Sequence, residues 1–273
     1  MKNLEINTDL AAEIISGFIH SETTRVGFTK AVIGGSGGID SALSCFLAAR
    51  ALGGENVLAI RMPYTTSSQE SLDHAQLVID KTGVQSKTIP ISAIADGLIN
   101  QFPNMSRMRQ GNIMARCRMI VLYDHSVEFN GLVVGTSNKT EILLGYSTLF
   151  GDSACAFNPI GDLYKAQVRQ LSRALGVPDV IVDKAPTADL WAGQTDEGEL
   201  GFTYADVDQL LYLLVDERYT PNECVQEGFD KKFVETVVKR IQRSHFKRIM
   251  PPIAKVSNRT IGYDFLYLRD WGT

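Results

Sequence analysis

The amino-acid sequence predicts an α/β fold: a doubly wound parallel sheet with helices on both faces and a helical C-terminal extension. Two observations carry that prediction. Between residues 9 and 175, short apolar runs alternate with amphipathic stretches; after residue 200 only helical periodicity remains. Alternation of this kind implies parallel strands, because each crossover needs a helix to return the chain. The crossovers are then right-handed, and a ligand site belongs at the carboxyl ends of the strands, near the topological switch point.

Each element follows from its own pattern. Residues 9–22 place Leu10, Ile14, Ile15, Phe18 and Ile19 on one side of a helix. Lys30–Gly34 reads as a short buried strand ending in glycine. Ser41–Leu52 is helical and rich in Ala and Leu, and Val57–Met62 is the second strand. Ser68–Lys81 is a helix turning Leu72, Ala75, Val78 and Ile79 inward, and Ser86–Ile91 is the third strand. A helix over 110–129, a fourth strand at Leu132–Gly135 and a helix over Asp162–Leu175 complete the alternation. Helices then follow at Tyr204–Asp216, Pro221–Gly228 and Lys231–Phe246. Residues 203–273 are read as an extension of one domain spanning 1–273. Met250-Pro251-Pro252 ends the last helix, and the tail to Thr273 is expected to be irregular.

Composition narrows the function. A net charge of −4 lacks the basic footprint of a nucleic-acid partner. No apolar run is long enough to span a membrane, and MKNLEINTDL does not resemble a secretory signal. Cys45, Cys117, Cys155 and Cys224 stand far apart, as reduced cytoplasmic thiols do, and His20, His74, His125 and His245 show no metal-ligand spacing.

The most informative segment is Gly34-Gly35-Ser36-Gly37-Gly38-Ile39-Asp40-Ser41, between a strand and a helix. There the backbone N–H groups and the helix dipole face outward together, which makes an anion site. Glycines let the backbone approach a phosphate, and Ser36 and Ser41 add hydroxyls. The lysine of the usual mononucleotide loop is absent, and the dinucleotide fingerprint fails after Gly37. An acid at Asp40, beside bound phosphates, makes sense with a Mg²⁺ between them.

The string Ser36-Gly37-Gly38-Ile39-Asp40-Ser41 resembles the pyrophosphate loop of the N-type ATP pyrophosphatases. Four further segments narrow the resemblance: Gly111-Asn112-Ile113-Met114-Ala115-Arg116-Cys117-Arg118-Met119, Gly135-Thr136-Ser137-Asn138-Lys139-Thr140-Glu141, Asn158-Pro159-Ile160-Gly161-Asp162-Leu163-Tyr164-Lys165, and Pro186-Thr187-Ala188-Asp189-Leu190-Trp191 followed by Gly193-Gln194-Thr195-Asp196-Glu197. In this order they resemble the ammonia-dependent NAD synthetases. That family implies ATP-driven amidation of deamido-NAD by ammonia, through an NAD-adenylate, with release of AMP and pyrophosphate. It also implies a cytoplasmic homodimer.

The resemblance assigns roles residue by residue. Gly35, Ser36, Gly37, Gly38, Ile39, Asp40 and Ser41 hold the ATP phosphates, with Arg61 (and Gln69 beside it), Thr136, Lys165 and Thr187 as further ATP contacts. Within the basic cluster of Arg107, Arg109, Arg116 and Arg118, Arg116 matches the contact to deamido-NAD. Phe246 and Lys247 match a pair that closes over the dinucleotide, and Asp152 matches a residue that orients or deprotonates ammonia. The physics of two positions points the same way. Glu141, early in its helix, is expected to face Asp40 across the cleft, and the two carboxylates with phosphate oxygens suit Mg²⁺. Lys165 lies early in its helix, where a cation is unfavourable against the dipole without an anion nearby, which gives it a reading as a phosphate contact.

One departure stands out. Leu149 and Ala156 occupy positions where many family members carry a substrate-contacting lysine and aspartate; losing both partners leaves no charge unpaired. Neither a glutaminase-sized segment nor an N-terminal cysteine is evident, so free or partner-supplied ammonia is the expected nitrogen source. The competing readings are a ligase or thiolase acting on another carboxylate or on tRNA, and a non-enzymatic ATP-binding regulator. A tRNA enzyme would carry a basic surface and often an added RNA-binding domain, and neither shows in the sequence. The second is disfavoured by the presence of Asp40, Glu141 and Lys165.

Overall fold

Strands β1 (Lys30–Gly34), β2 (Val57–Arg61), β3 (Gln85–Thr88) and β4 (Gly131–Val134) form one parallel sheet in the order β3-β2-β1-β4. The computed structural model describes residues 4–265, apart from 188, 190, 192 and 193. The chain leaves β1 toward β2 and β3, then returns to place β4 on the other side of β1. The switch point therefore lies between β1 and β4, and the glycine turn and Gly135 follow the carboxyl ends of those two strands.

Side-chain alternation explains the two covered faces. Ala31, Ile33, Val57 and Ala59 point into one core with α1 (Thr8–Arg25), α2 (Ile39–Leu52) and α3 (Gln69–Thr82). Val32, Leu58 and Ile60 point into the opposite core, under α4 (Ser92–Ile99) and α5 (Arg107–Phe129). After β4 come α6 (Lys139–Leu144), α7 (Lys165–Ala174), α8 (Asp179–Val182) and α9 (Asp196–Leu200). The C-terminal helices are α10 (Tyr204–Leu211), which widens into a π turn at Tyr212–Asp216, then α11 (Pro221–Gln226) and α12 (Lys231–Arg243). Val207, Leu210, Cys224, Val234 and Val237 build a third core with Leu144 of α6 and Tyr164 before α7.

Several expectations change. The buried face of α1 carries Ala12, Ile15, Ser16, Ile19 and Thr23, leaving Leu10, Ile14 and Phe18 exposed. Ile15 and Ile19 remain inward as expected, while Ala12, Ser16 and Thr23 fill the rest of the buried face. In α3 the inward positions include Ser71 and His74, and Leu72 lines a cleft. Helix α4 was not anticipated, and α7 starts at Lys165 because Asp162 and Leu163 remain in the preceding turn. The last helix gives way to a 3-10 turn at His245–Arg248. Residues 249–265 carry one isolated bridge, Ile261 to Phe265; the rest of the tail lies outside the described residues.

Helix α5 ends on Asn130, whose φ of 54° is left-handed while its N–H bonds back to Val127. Asparagine tolerates this region and alanine does not. Asn130→Ala is expected to lower stability by about 1 kcal/mol in urea unfolding, with Asn130→Gly close to the parent protein.

Candidate active site

The turn after β1 is tied down before it meets any ligand. Gly35 donates its N–H to Ile60 of β2 at 2.9 Å, and Gly37 has a φ of +77°. A Cβ at Gly37 would lie 2.1 Å from the Ser71 carbonyl oxygen, so only glycine lets the turn press against α3. The Ser36 and Ser41 hydroxyls lie 2.9 Å apart, and Ser36 Oγ accepts from Gly38 N–H at 3.2 Å. Gly38 caps α2 with no side chain, and the first helical bond runs from Ala42 to Gly38. The N–H groups of Ile39, Asp40 and Ser41 therefore remain free of helical partners, as an anion cradle requires. Above them opens a cleft of about 920 Å³ lined by the turn, by Thr136 and Ser137 after β4, and by residues of α5 and the C-terminal helices. That volume accommodates a nucleotide.

Three charged residues from three separate elements meet on the cleft floor. Lys165 Nζ lies 2.5 Å from Asp40 Oδ2 and 3.1 Å from Glu141 Oε1. Asn138 caps α6 in a reciprocal box with Glu141 and also donates Nδ2–H to Asp40 Oδ1 at 2.9 Å. The lysine is 2 % exposed. Burial pushes its ammonium down, but the Asp40 and Glu141 carboxylates outweigh burial and hold it above the ordinary lysine value. Burial pushes the Glu141 carboxyl up, and the Lys165 ammonium opposes that rise. The expectation that Glu141 faces Asp40 agrees with this geometry. The anions that let Lys165 open a helix are these two carboxylates, and Tyr204 places its ring under the ammonium at 5.0 Å.

The donor set suits a hard divalent cation. The Asp40 and Glu141 carboxylates converge on Lys165 Nζ beside the glycine turn, and together with phosphate oxygens and water they would supply the oxygen donors such a cation takes. Among the described residues no set of three or more His, Cys, Asp or Glu forms a cage of its own.

The other expected residues divide. Thr136, Thr187, Asp152 and Lys247 line the cleft. Asp152 accepts from the Thr148 N–H at 2.8 Å, and Lys247 donates to the carbonyls of Gly145 and Ser147 at 2.7 and 2.5 Å. Phe246 is exposed beside them. Arg61 instead gives Nη1–H to Gln76 of α3 at 2.6 Å, and Gln69 is bound to Asp73; neither is among the cleft-lining residues. Arg116 is exposed and holds the Leu149 carbonyl at 3.2 Å. It is Arg107 and Arg118 that line the cleft, with Arg118 anchored to the Met62 carbonyl at 3.1 Å. Leu149 is half-buried and Ala156 exposed. Ala188, Leu190 and Gly193 of the quoted strings lie outside the described residues.

Sequence reasoning missed a second layer. Asp196, 5 % exposed, accepts from the hydroxyls of Tyr146 and Tyr204 at 3.1 and 3.2 Å, and burial pushes its carboxyl up. Asp208 is fully buried behind Thr140 and α7. An acid in an otherwise apolar helical stripe (Val207, Leu210 and Leu211 around Asp208) was the available signal.

Along its whole length the chain is similar to known proteins. The profile of the family described as NAD synthase matches residues 11–251. The chain is 58% identical over 272 residues to the NH(3)-dependent NAD(+) synthetase of Trichlorobacter lovleyi, covering 100% of both chains. It is 52% identical over 270 residues to that of Chlorobaculum tepidum, covering 99% of this chain and 98% of the other. Among solved structures, the NH3-dependent NAD synthetase of Campylobacter jejuni superposes with a TM-score of 0.79 at 35% identity, covering 92% of this chain and 100% of that one. An NMN synthetase from Francisella tularensis gives 0.81 at 30% identity, covering 92% and 99%.

Proposed function

The chain belongs to the NAD synthase family, and from that premise we propose that it amidates deamido-NAD with ammonia at the expense of ATP. The products are NAD, AMP and pyrophosphate, and the enzyme is a ligase. What carries this reading is the meeting of Asp40, Glu141 and Lys165 beside an open glycine cradle, in a chain similar from end to end to ammonia-dependent synthetases.

The chemistry follows from the geometry. A carboxylate is a poor electrophile. Its oxygen attacks the α-phosphorus of ATP, the bond to the β-phosphate oxygen breaks, and the acyl adenylate has AMP as a good leaving group. Ammonia then attacks the acyl carbon and AMP departs. The N–H groups at the start of α2 and the Ser36 and Ser41 hydroxyls receive the β- and γ-phosphates; Lys165 neutralises charge on the departing pyrophosphate. A Mg²⁺ held by Asp40 and Glu141 would offset phosphate charge. Asp152, which lines the cleft with Lys247, would take a proton from the attacking nitrogen. Thr136 and Thr187 line the ATP side. The roles of Arg61, Arg116 and Phe246 rest on the family resemblance alone.

We read the whole chain as one catalytic domain and as a cytoplasmic homodimer. Four free thiols support a reducing compartment. Exposed apolar residues on α1 (Leu10, Ile14, Phe18) and α5 (Ile120, Tyr123, Val127) support self-association. No described helix is long and apolar enough to cross a membrane.

The test is product analysis with ATP, Mg²⁺, ammonium and either deamido-NAD or nicotinate mononucleotide. NAD, AMP and pyrophosphate are expected in equal amounts with deamido-NAD. Asp40→Asn is expected to lower turnover by about three orders of magnitude, since it removes one of the two carboxylates that would hold the cation against the phosphates. A preference for the mononucleotide would move the assignment toward the Francisella tularensis relative and keep the activation step.

A further inference from the structure

The start of α7 is only partly capped by its own sequence, through Gln167 Oε1, which accepts from the Tyr164 N–H at 2.9 Å. Its N-cap residue, Tyr164, supplies no side-chain acceptor, and its first helical residue is the lysine of the active site. The open N–H groups are satisfied from elsewhere. Thr140 Oγ1, in α6, accepts from the Lys165 N–H at 3.1 Å. Asp208 Oδ2, in α10, accepts from the Ala166 N–H at 2.8 Å, and its other oxygen accepts the Thr140 hydroxyl at 2.5 Å. Both Thr140 and Asp208 are fully buried.

One carboxylate thus holds two elements at once. Thr140 directly precedes Glu141, and Ala166 directly follows Lys165, so the tie lies one residue from each catalytic side chain. Its negative charge also sits at the positive end of the α7 dipole, on the side away from the cleft. A second acid on the same helical run, Asp216, accepts from Lys139 at 2.9 Å and from the Tyr164 hydroxyl. That outer tie is less critical, because Lys139 also pairs with Asp162 at 3.1 Å and the Asp216 side chain is about one-third exposed.

We propose that Asp208 is a positioning residue for the adenylation step: it caps α7 and, through Thr140, fixes Lys165 and Glu141 against the glycine turn. The C-terminal helices are then part of the active-site geometry, although no residue of α10 needs to touch ATP for this. The proposal rests on the reading of Lys165 and Glu141 given above. It goes beyond that reading in assigning the tie to a residue that contacts no substrate.

The test uses the full-length protein and steady-state constants for ATP and deamido-NAD, well below the unfolding midpoint. Asp208→Asn is expected to raise KM for ATP and lower kcat, each by about tenfold or more, since a small misplacement of a charged group costs this much. KM for deamido-NAD is expected to stay within about twofold, because the tie is on the pyrophosphate side. Thr140→Val is expected to show the same pattern, Thr140→Ser to recover the parent constants, and the Thr140→Val/Asp208→Asn double variant to be no worse than the poorer single one. Val237→Ala, in the C-terminal core, is the structural control: it is expected to lower Tm with both KM values unchanged. The proposal fails if Asp208→Asn and Thr140→Val leave KM for ATP unchanged, or if Val237→Ala reproduces their kinetics at an equal loss of Tm. If Asp208→Asn does not fold, the Thr140 pair decides alone. Lys165→Met separates the two levels. If it too keeps parental kinetics, the reading of the site is wrong; if it is inactive while Asp208→Asn is normal, only the positioning role is lost.

Discussion

Lys165→Met is expected to lower kcat/KM for ATP by about three orders of magnitude and to destabilise the protein even with no nucleotide present. The catalytic loss follows from removing the cation beside the phosphate cradle. The stability loss follows from what remains. Asp40 and Glu141 have Lys165 as their shared cation at 2.5 and 3.1 Å, and removing one partner of a buried pair costs about 3–5 kcal/mol. For a chain of this size that corresponds to a drop in Tm on the order of 10 °C.

The penalty is expected to depend on pH, with a definite sign. Burial pushes the Glu141 carboxyl up to about 7, against the pull of Lys165. A carboxyl raised in the folded state holds its proton more tightly there than in the unfolded chain. Unfolding free energy from this group therefore falls as pH rises from the ordinary carboxylate value toward 7. Without the ammonium, Glu141 is pushed higher still, so the variant keeps losing stability above pH 7 where the parent has levelled off. Urea unfolding at pH 6 and pH 8, without Mg²⁺ or nucleotide, is expected to show a larger gap between variant and parent at pH 8. Equal gaps would mean that Glu141 is not held by Lys165.

Gly37→Ala is the second large effect. A left-handed φ costs an alanine about 1–2 kcal/mol. The greater difficulty is steric, because the new Cβ would meet the Ser71 carbonyl oxygen at 2.1 Å, and neither backbone can yield without moving the turn or α3. The turn is expected to lift away from α3, misdirecting the N–H groups that follow it. ATP affinity by calorimetry is expected to fall by about a hundredfold, as for other small misplacements of binding groups. Gly27→Ala is the matched control, since Gly27 has a φ of +86° and nothing within 4 Å of its Cβ position. It is expected to lose about 1 kcal/mol of stability and no ATP affinity. Should Gly37→Ala bind ATP normally, the glycine turn is not the phosphate cradle.

Much of this site was legible in the sequence because its parts are local. Glycine spacing, the strand before the turn and the helix after it are all encoded within a few residues, and they mark the candidate anion site and Asp40. Glu141 could be placed early in a helix because the strand before it and the helix after it are likewise local patterns; the capping box that Asn138 forms with it is a finding of the structure. Lys165 could be singled out because a cation at a helix start conflicts with the dipole. Arg61 and Arg116 were harder. Both are cations near strand or helix positions that suit a ligand, yet the structure gives their guanidinium groups to Gln76 and to the Leu149 carbonyl. A long flexible side chain has many polar partners within reach, and spacing does not choose among them.

The sequence by itself determined the parallel α/β class and the glycine turn between strand and helix, and it singled out Asp40, Glu141 and Lys165 as candidates, since periodicity and turn chemistry act over short stretches. Tertiary structure alone decided that α1 turns Ala12, Ser16 and Thr23 inward beside Ile15 and Ile19 and exposes Leu10, Ile14 and Phe18, and that Tyr204 lies under Lys165. It also decided that Asp208 caps a helix 42 residues earlier in the chain. These contacts join residues far apart in the chain. Their partners are chosen by how the C-terminal helices pack against α6 and α7, and no local pattern records that choice.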